Sequence, residues 1–107
     1  VRNILSNKVG AVLSRDEARD VVDLVEICRG FRFSWSEILQ EAAMKQEFER
    51  EEFVYRLTTF PIQLVSDVPF RGSPPGPDEV EVFIRAMAND VETERENSLA
   101  AAPAPDL

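Results

Sequence analysis

The sequence predicts an all-α fold: a small irregular bundle of about four helices, a proline-rich loop before the last of them, and a disordered C-terminal tail. Three observations point there. Apolar residues recur at i, i+3, i+4 and i+7 in residues 18–28 and 80–91, and a shorter apolar stripe runs through 38–43. Two Ser-x-x-Glu segments, Ser14 to Glu17 and Ser34 to Glu37, read as capping boxes that open consecutive helices. Five of the seven prolines fall between residues 61 and 77, where neither helix nor central strand propagates. The expected organisation is one helical domain over residues 1–95, with 61–77 as its connector and 96–107 as a flexible tail.

In chain order, Ile4, Leu5, Val9, Val12 and Leu13 support a short first helix, which Gly10 weakens by about 1 kcal/mol relative to alanine. Ser14 is the expected N-cap of the second helix, with Asp16 and Glu17 favouring the positive end of its dipole. That helix presents Ala18, Val21, Val22, Val25 and Cys28 on one face, widened by Leu24, and Arg19, Asp20, Asp23 and Glu26 to water. Gly30 is its expected C-cap, since glycine reaches a left-handed conformation without steric cost. Phe31-Arg32-Phe33 then crosses in extended form, sending its two phenylalanines to opposite sides, so one enters the core.

Ser34 and Glu37 open a third helix that buries Ile38, Leu39, Ala42 and Ala43, with Trp35 in its first turn. The second and third helices together read as a hairpin with an aromatic corner. The polar stretch KQEFEREEF leaves only Phe48 apolar between Met44 and Phe53, yet it keeps helical register and offers a Lys45–Glu49 pair. A continuous or slightly kinked helix is expected to end near Phe60, stopped by Pro61. IQLV reads as a short extended segment. Pro77, followed by Asp78 and Glu79, suits the first turn of the last helix. Val80, Phe83, Ile84, Met87, Ala88 and Val91 line one face of it.

Composition narrows the function. The 107 residues carry a net charge of −8. It is uneven: residues 1–34 hold six basic against five acidic side chains, residues 61–107 three against nine. A phosphate-tracking surface needs clustered Lys and Arg, and only Arg15, Arg19, Arg29 and Arg32 gather here. The expected partner is therefore a protein, basic where it docks, and not nucleic acid. No apolar run approaches the roughly 18 residues of a membrane helix, so no membrane association and a cytoplasmic setting are expected. No cofactor is expected.

Histidine is absent, which removes the commonest general base and metal ligand. Cys28 lies on the apolar side of its helix and reads as a packing residue, not a nucleophile. The densest acidic run, Glu47, Glu49, Glu51 and Glu52, has Glu49 and Glu52 on one face at i, i+3. These two are the weak candidates for magnesium, as in all-helical nucleotide pyrophosphohydrolases; the preferred reading is a solvated helix face. Non-catalytic recognition remains: an accessory, adaptor or regulatory protein, not an enzyme. Aromatic and arginine side chains dominate interface hot spots. The expected contact residues are Phe31, Arg32, Phe33 and Trp35, with Phe48, Glu52 and Tyr55. A homo-oligomer through Val80, Phe83, Ile84, Met87 and Val91 would cover the last apolar stripe.

The stretch DVVDLVEICRGFRFSWSEILQEA also resembles the leader-peptide family associated with nitrogen fixation and with natural-product precursors. The similarity covers residues 7–44 and rests on Ser14, Asp20, Val21, Val22, Leu24, Gly30, Phe31, Phe33, Glu37 and Leu39. It implies a small helical recognition module gripped by a maturation enzyme. No double-Gly cleavage site and no cysteine- or serine-rich core accompany it.

Overall fold

The computed structural model describes residues 2–14, 17–67, 77–101 and 104–107. Among the described residues five α-helices form: α1 (Arg2–Ser14), α2 (Ala18–Gly30), α3 (Trp35–Lys45), α4 (Arg50–Thr58) and α5 (Pro77–Glu92), with a 3-10 helix at Ile62–Asp67 between the last two. The fold is all-α; among the described residues the only extended pairing is two isolated bridges, Arg32 with Asp106 and Ser34 with Glu96. Arg15, Asp16 and residues 68–76, including most of the proline-rich connector, lie outside the described residues.

The periodic apolar positions become the core. Leu5, Val9 and Val12 come from α1, Val21, Val22, Leu24, Val25 and Cys28 from α2, and Trp35, Ile38, Leu39 and Ala42 from α3. Phe53 and Leu57 of α4, and Val80, Ile84, Met87, Ala88 and Val91 of α5, complete it. Ala43 is exposed instead, and Phe83 half-buried. Phe33 packs against the core, as the alternation of the extended link requires. Each large apolar side chain so buried contributes about 1.5–3 kcal/mol. Of the residues expected to line a homo-oligomer contact, Val80, Ile84, Met87 and Val91 are buried within the chain, where α4 packs against α5, and Phe83 is half-buried.

The expected hairpin of α2 and α3 does not form. Each leans on α1 and on α5 rather than on the other. The extended corner joins the two helices, and α1 packs against both.

The helix punctuation also differs from the sequence reading. Ser14 ends α1, its hydroxyl donating back to the Gly10 carbonyl at 2.9 Å. The N-cap of α2 is Glu17, without a side-chain cap. Ser34 is the N-cap of α3, but its hydroxyl does not cap either. The box that forms is Glu49 with Glu52, at the start of α4. Nor does Gly30 turn left-handed: α2 closes through an extended Phe31, whose N–H donates to the Ile27 carbonyl at 3.1 Å.

The long helix expected through residues 45–60 is broken. Gln46 and Glu49 are both extended, ending α3 and opening α4. The turn brings Phe53 and Leu57 into the core, and that burial outweighs the helical hydrogen bonds given up. Lys45 does not pair with Glu49; its ammonium donates to Ser6 Oγ at 2.7 Å and Asn7 Oδ1 at 3.0 Å on α1. IQLV is helical, not extended: the 3-10 turn starts directly after Pro61, whose carbonyl accepts from Leu64 N–H.

Among the described residues two carboxylates are buried. Asp20, expected to face water, is buried, and Lys8 of α1 reaches its carboxylate at 3.2 Å and that of Asp23 at 2.8 Å. Asp90, in the last turns of α5, is buried and accepts from the Ser98 N–H at 2.9 Å and hydroxyl at 2.7 Å. That pairing turns the chain back, with Glu94 in the left-handed region at φ 51°.

The stretch expected to be a flexible tail follows this turn and, in its described residues, lies along the α2–α3 corner. Asn97 is buried there, and Leu99 and Leu107 pack against the core. Composition alone did not reveal this, because the anchoring is done by backbone groups and one asparagine amide.

Candidate protein-interaction surfaces

The corner is four residues of extended chain with both edges paired. On one side Trp35 N–H donates to Arg95 O at 3.0 Å, and Asn97 N–H donates to Phe33 O at 2.9 Å. On the other, Arg32 N–H donates to Pro105 O and Leu107 N–H donates to Arg32 O, both at 2.9 Å. The Asn97 amide closes the arrangement by donating to the carbonyls of Cys28 at 2.6 Å and Phe31 at 2.8 Å, two acceptors left open by the end of α2.

The expected contact residues at the corner divide. Trp35 is wholly buried, edge-on to Phe33 at 5.1 Å and tilted over Phe53 at 6.0 Å, so it belongs to the core and not to a surface. Among the described residues its indole N–H finds no acceptor, a cost of about 1–3 kcal/mol that burial of the ring offsets. Phe31 and Phe33 are half-buried. Arg32 is exposed, and its guanidinium donates to the Asp106 carboxylate from Nε at 3.0 Å and Nη2 at 2.9 Å. Arg29 sits with its guanidinium 4.9 Å over the Phe83 ring, and Arg19 pairs with Asp23. These arginines are thus held by separate partners.

A second surface lies where α4 passes the end of α1. Leu13, Glu51, Glu52, Tyr55 and Arg56 line an open groove of about 340 Å³. Arg56 fixes the two helices to each other by donating to the Leu13 carbonyl from Nη2 at 3.0 Å, an acceptor freed at the end of α1. The capping box holds Glu52 at one end of the groove. Tyr55 stands 65% exposed. Of the expected contact residues, the groove brings together Glu52 and Tyr55; Phe48 instead packs half-buried against the core. Leu13 and Arg56 are the additions. Leu13 was visible as an apolar residue just off the buried face of α1, while nothing in the sequence marked Arg56.

The candidate metal ligands Glu49 and Glu52 are engaged in capping, and among the described residues no group of three His, Cys, Asp or Glu side chains is placed to hold an ion. Cys28 is buried; desolvation, and then the charge of Asp90, push its thiol pKa far up. Among the described residues, no helix is long and apolar enough to cross a membrane. Comparison with known family models, with curated proteins and with solved structures finds no match in any of the three.

Proposed function

We propose that this chain is a non-catalytic accessory or adaptor protein of the cytoplasm, and that the groove between α1 and α4 takes a basic segment of its protein partner. Tyr55 carries the reading: an aromatic ring left largely in solvent, over Leu13 and beside Glu51 and Glu52. Exposed aromatic anchors are typical hot spots. Two flanking carboxylates complement lysine or arginine, and the net charge of −8 draws a basic partner from a distance. Catalysis has less support, because the chain lacks histidine and its one cysteine is buried with a raised pKa. A leader-like role over residues 7–44 also has less support. Val21, Val22, Leu24 and Leu39 face the core, and the corner is covered by the chain's own C-terminal segment.

The test is a pull-down from native lysate with full-length protein, comparing wild type with Tyr55→Ala and Glu51→Lys, both at exposed positions. The expected result is a stoichiometric partner that either variant loses by about tenfold or more. That partner should also be released as salt screens the charges. Equal recovery by all three proteins overturns the groove. Recovery of nothing above background overturns the adaptor reading. Hydrolysis of a nucleotide with magnesium, lost in Glu49→Gln, replaces it with an enzyme.

A further inference from the structure

We propose that the extended edge at residues 31–34 is a binding site for a polypeptide segment carrying a carboxylate followed by an aliphatic side chain, occupied here by the chain's own Pro105, Asp106 and Leu107. The inference is independent of the α4 groove. One residue, Arg32, reads three features of its occupant. Its backbone N–H and carbonyl bond to Pro105 O and Leu107 N, straddling Asp106 as in a parallel bridge. Its guanidinium grips the Asp106 carboxylate through Nε and Nη2. Next to these, Leu107 rests half-buried against the core. Backbone pairing for affinity and alternate side chains for selection is the logic by which extended peptides add to an exposed edge.

Charge agrees with this occupant. Arg32 is an exposed cation on a chain of net charge −8, so the corner suits an acidic segment where the α4 groove suits a basic one. The occupant is also built to be exchanged. The Arg32 and Asp106 side chains are 64% and 77% exposed, and an ion pair that open adds little and is screened by salt. Asn97, by contrast, is buried and bonded to Cys28, Phe31, Phe33 and Leu99. Release of residues 104–107 therefore leaves the turn at Asn97 anchored and the edge beside Arg32 open. Held in cis, the occupant competes at an effective concentration in the millimolar range. It masks the site from weak ligands and yields to a partner segment that binds more tightly.

The test measures fluorescence anisotropy of a labelled peptide, SLAAAPAPDL, against the full chain. Wild type is compared with Asp106→Lys, which weakens the cis occupant, and with Arg32→Glu. Both positions are exposed, and retained helicity and melting temperature verify the fold. Asp106→Lys is expected to bind the peptide about two- to fivefold more tightly than wild type at low salt. Arg32→Glu is expected to weaken it by a similar factor and to prefer a peptide with lysine in place of the aspartate. Equal binding by wild type and Asp106→Lys, absence of binding to both, or indifference to Arg32→Glu would each overturn the proposal.

Discussion

Replacing Asn97 with alanine is the most searching test of how the C-terminal segment is held. The residue is only 8% exposed. Its amide donates to Cys28 O and Phe31 O, and its Oδ1 accepts from Leu99 N–H at 3.1 Å. Alanine keeps the backbone bond to Phe33 O and loses all three side-chain bonds. Each is worth about 0.5–1.5 kcal/mol net, and the buried Cys28 carbonyl additionally loses a partner it cannot replace with water. The expected loss is about 2–4 kcal/mol, a large part of the 5–15 kcal/mol that holds an ordinary domain. For a chain of this size it lowers the melting temperature by roughly 10 °C or more. Urea denaturation followed by helical circular dichroism gives the free energy directly. Asn97→Asp is the informative companion, because it keeps an acceptor but sets a carboxylate against two carbonyls; it should be at least as destabilised. If Asn97→Ala unfolds within about 0.5 kcal/mol of wild type, the amide does not hold the corner and the docking of residues 95–101 is refuted.

Lys8→Met removes an ion partner from Asp20, whose side chain is 2% exposed, and should cost about 2 kcal/mol in urea midpoints at neutral pH. Hydrogen bonding to Asp23 is the main cause that raises the Lys8 pKa, with Asp20 adding to it against desolvation. The lysine's contribution is therefore fully present below the unfolded value of about 10.4 and lost as pH rises through the higher folded one, so above neutral pH the gap between variant and wild type should narrow only in strong alkali. A gap that closes between pH 6 and 8 would contradict this assignment. The Cys28 thiol should resist a disulfide exchange reagent in native protein and react on adding denaturant; fast native labelling would mean that α2 is not packed as described. Glu49→Ala should destabilise by about 1 kcal/mol, whereas Ser14→Ala and Ser34→Ala should each cost less than about 0.5 kcal/mol, because only the first of these side chains caps a helix. The reverse order in thermal melts would restore the two serine boxes.

The α4 groove and the corner edge were legible to different degrees. Tyr55 and Glu52 stood out as an aromatic and an acid in a polar run, but the groove they line also needs Leu13, some forty residues earlier, and only the docking of α4 on α1 brings it there. Phe31, Arg32 and Phe33 were recognisable as an aromatic and basic cluster. That Asp106 and Leu107 would meet Arg32 was not, because no local pattern encodes a pairing across seventy-four residues. Trp35 was misjudged for a related reason: an aromatic near a helix start looks the same in sequence whether it faces solvent or the ring of Phe53.

The sequence by itself determined the all-α class and most of the core positions of α1, α2, α3 and α5, though not those of α4, since the 3.6-residue period of apolar side chains is a local property that burial selects regardless of how the helices are arranged. It also determined the start of α5, where Pro77 both suits the first turn and gives up no hydrogen bond. The tertiary structure alone decided which caps form, where the third expected helix breaks, that Asp20 and Asp90 are buried against Lys8 and Ser98, and that the last residues lie along the corner. Those outcomes rest on single polar groups finding partners far away in the chain. A lone carboxylate or amide has no periodicity to read, so its partner exists only once the fold has set the distance.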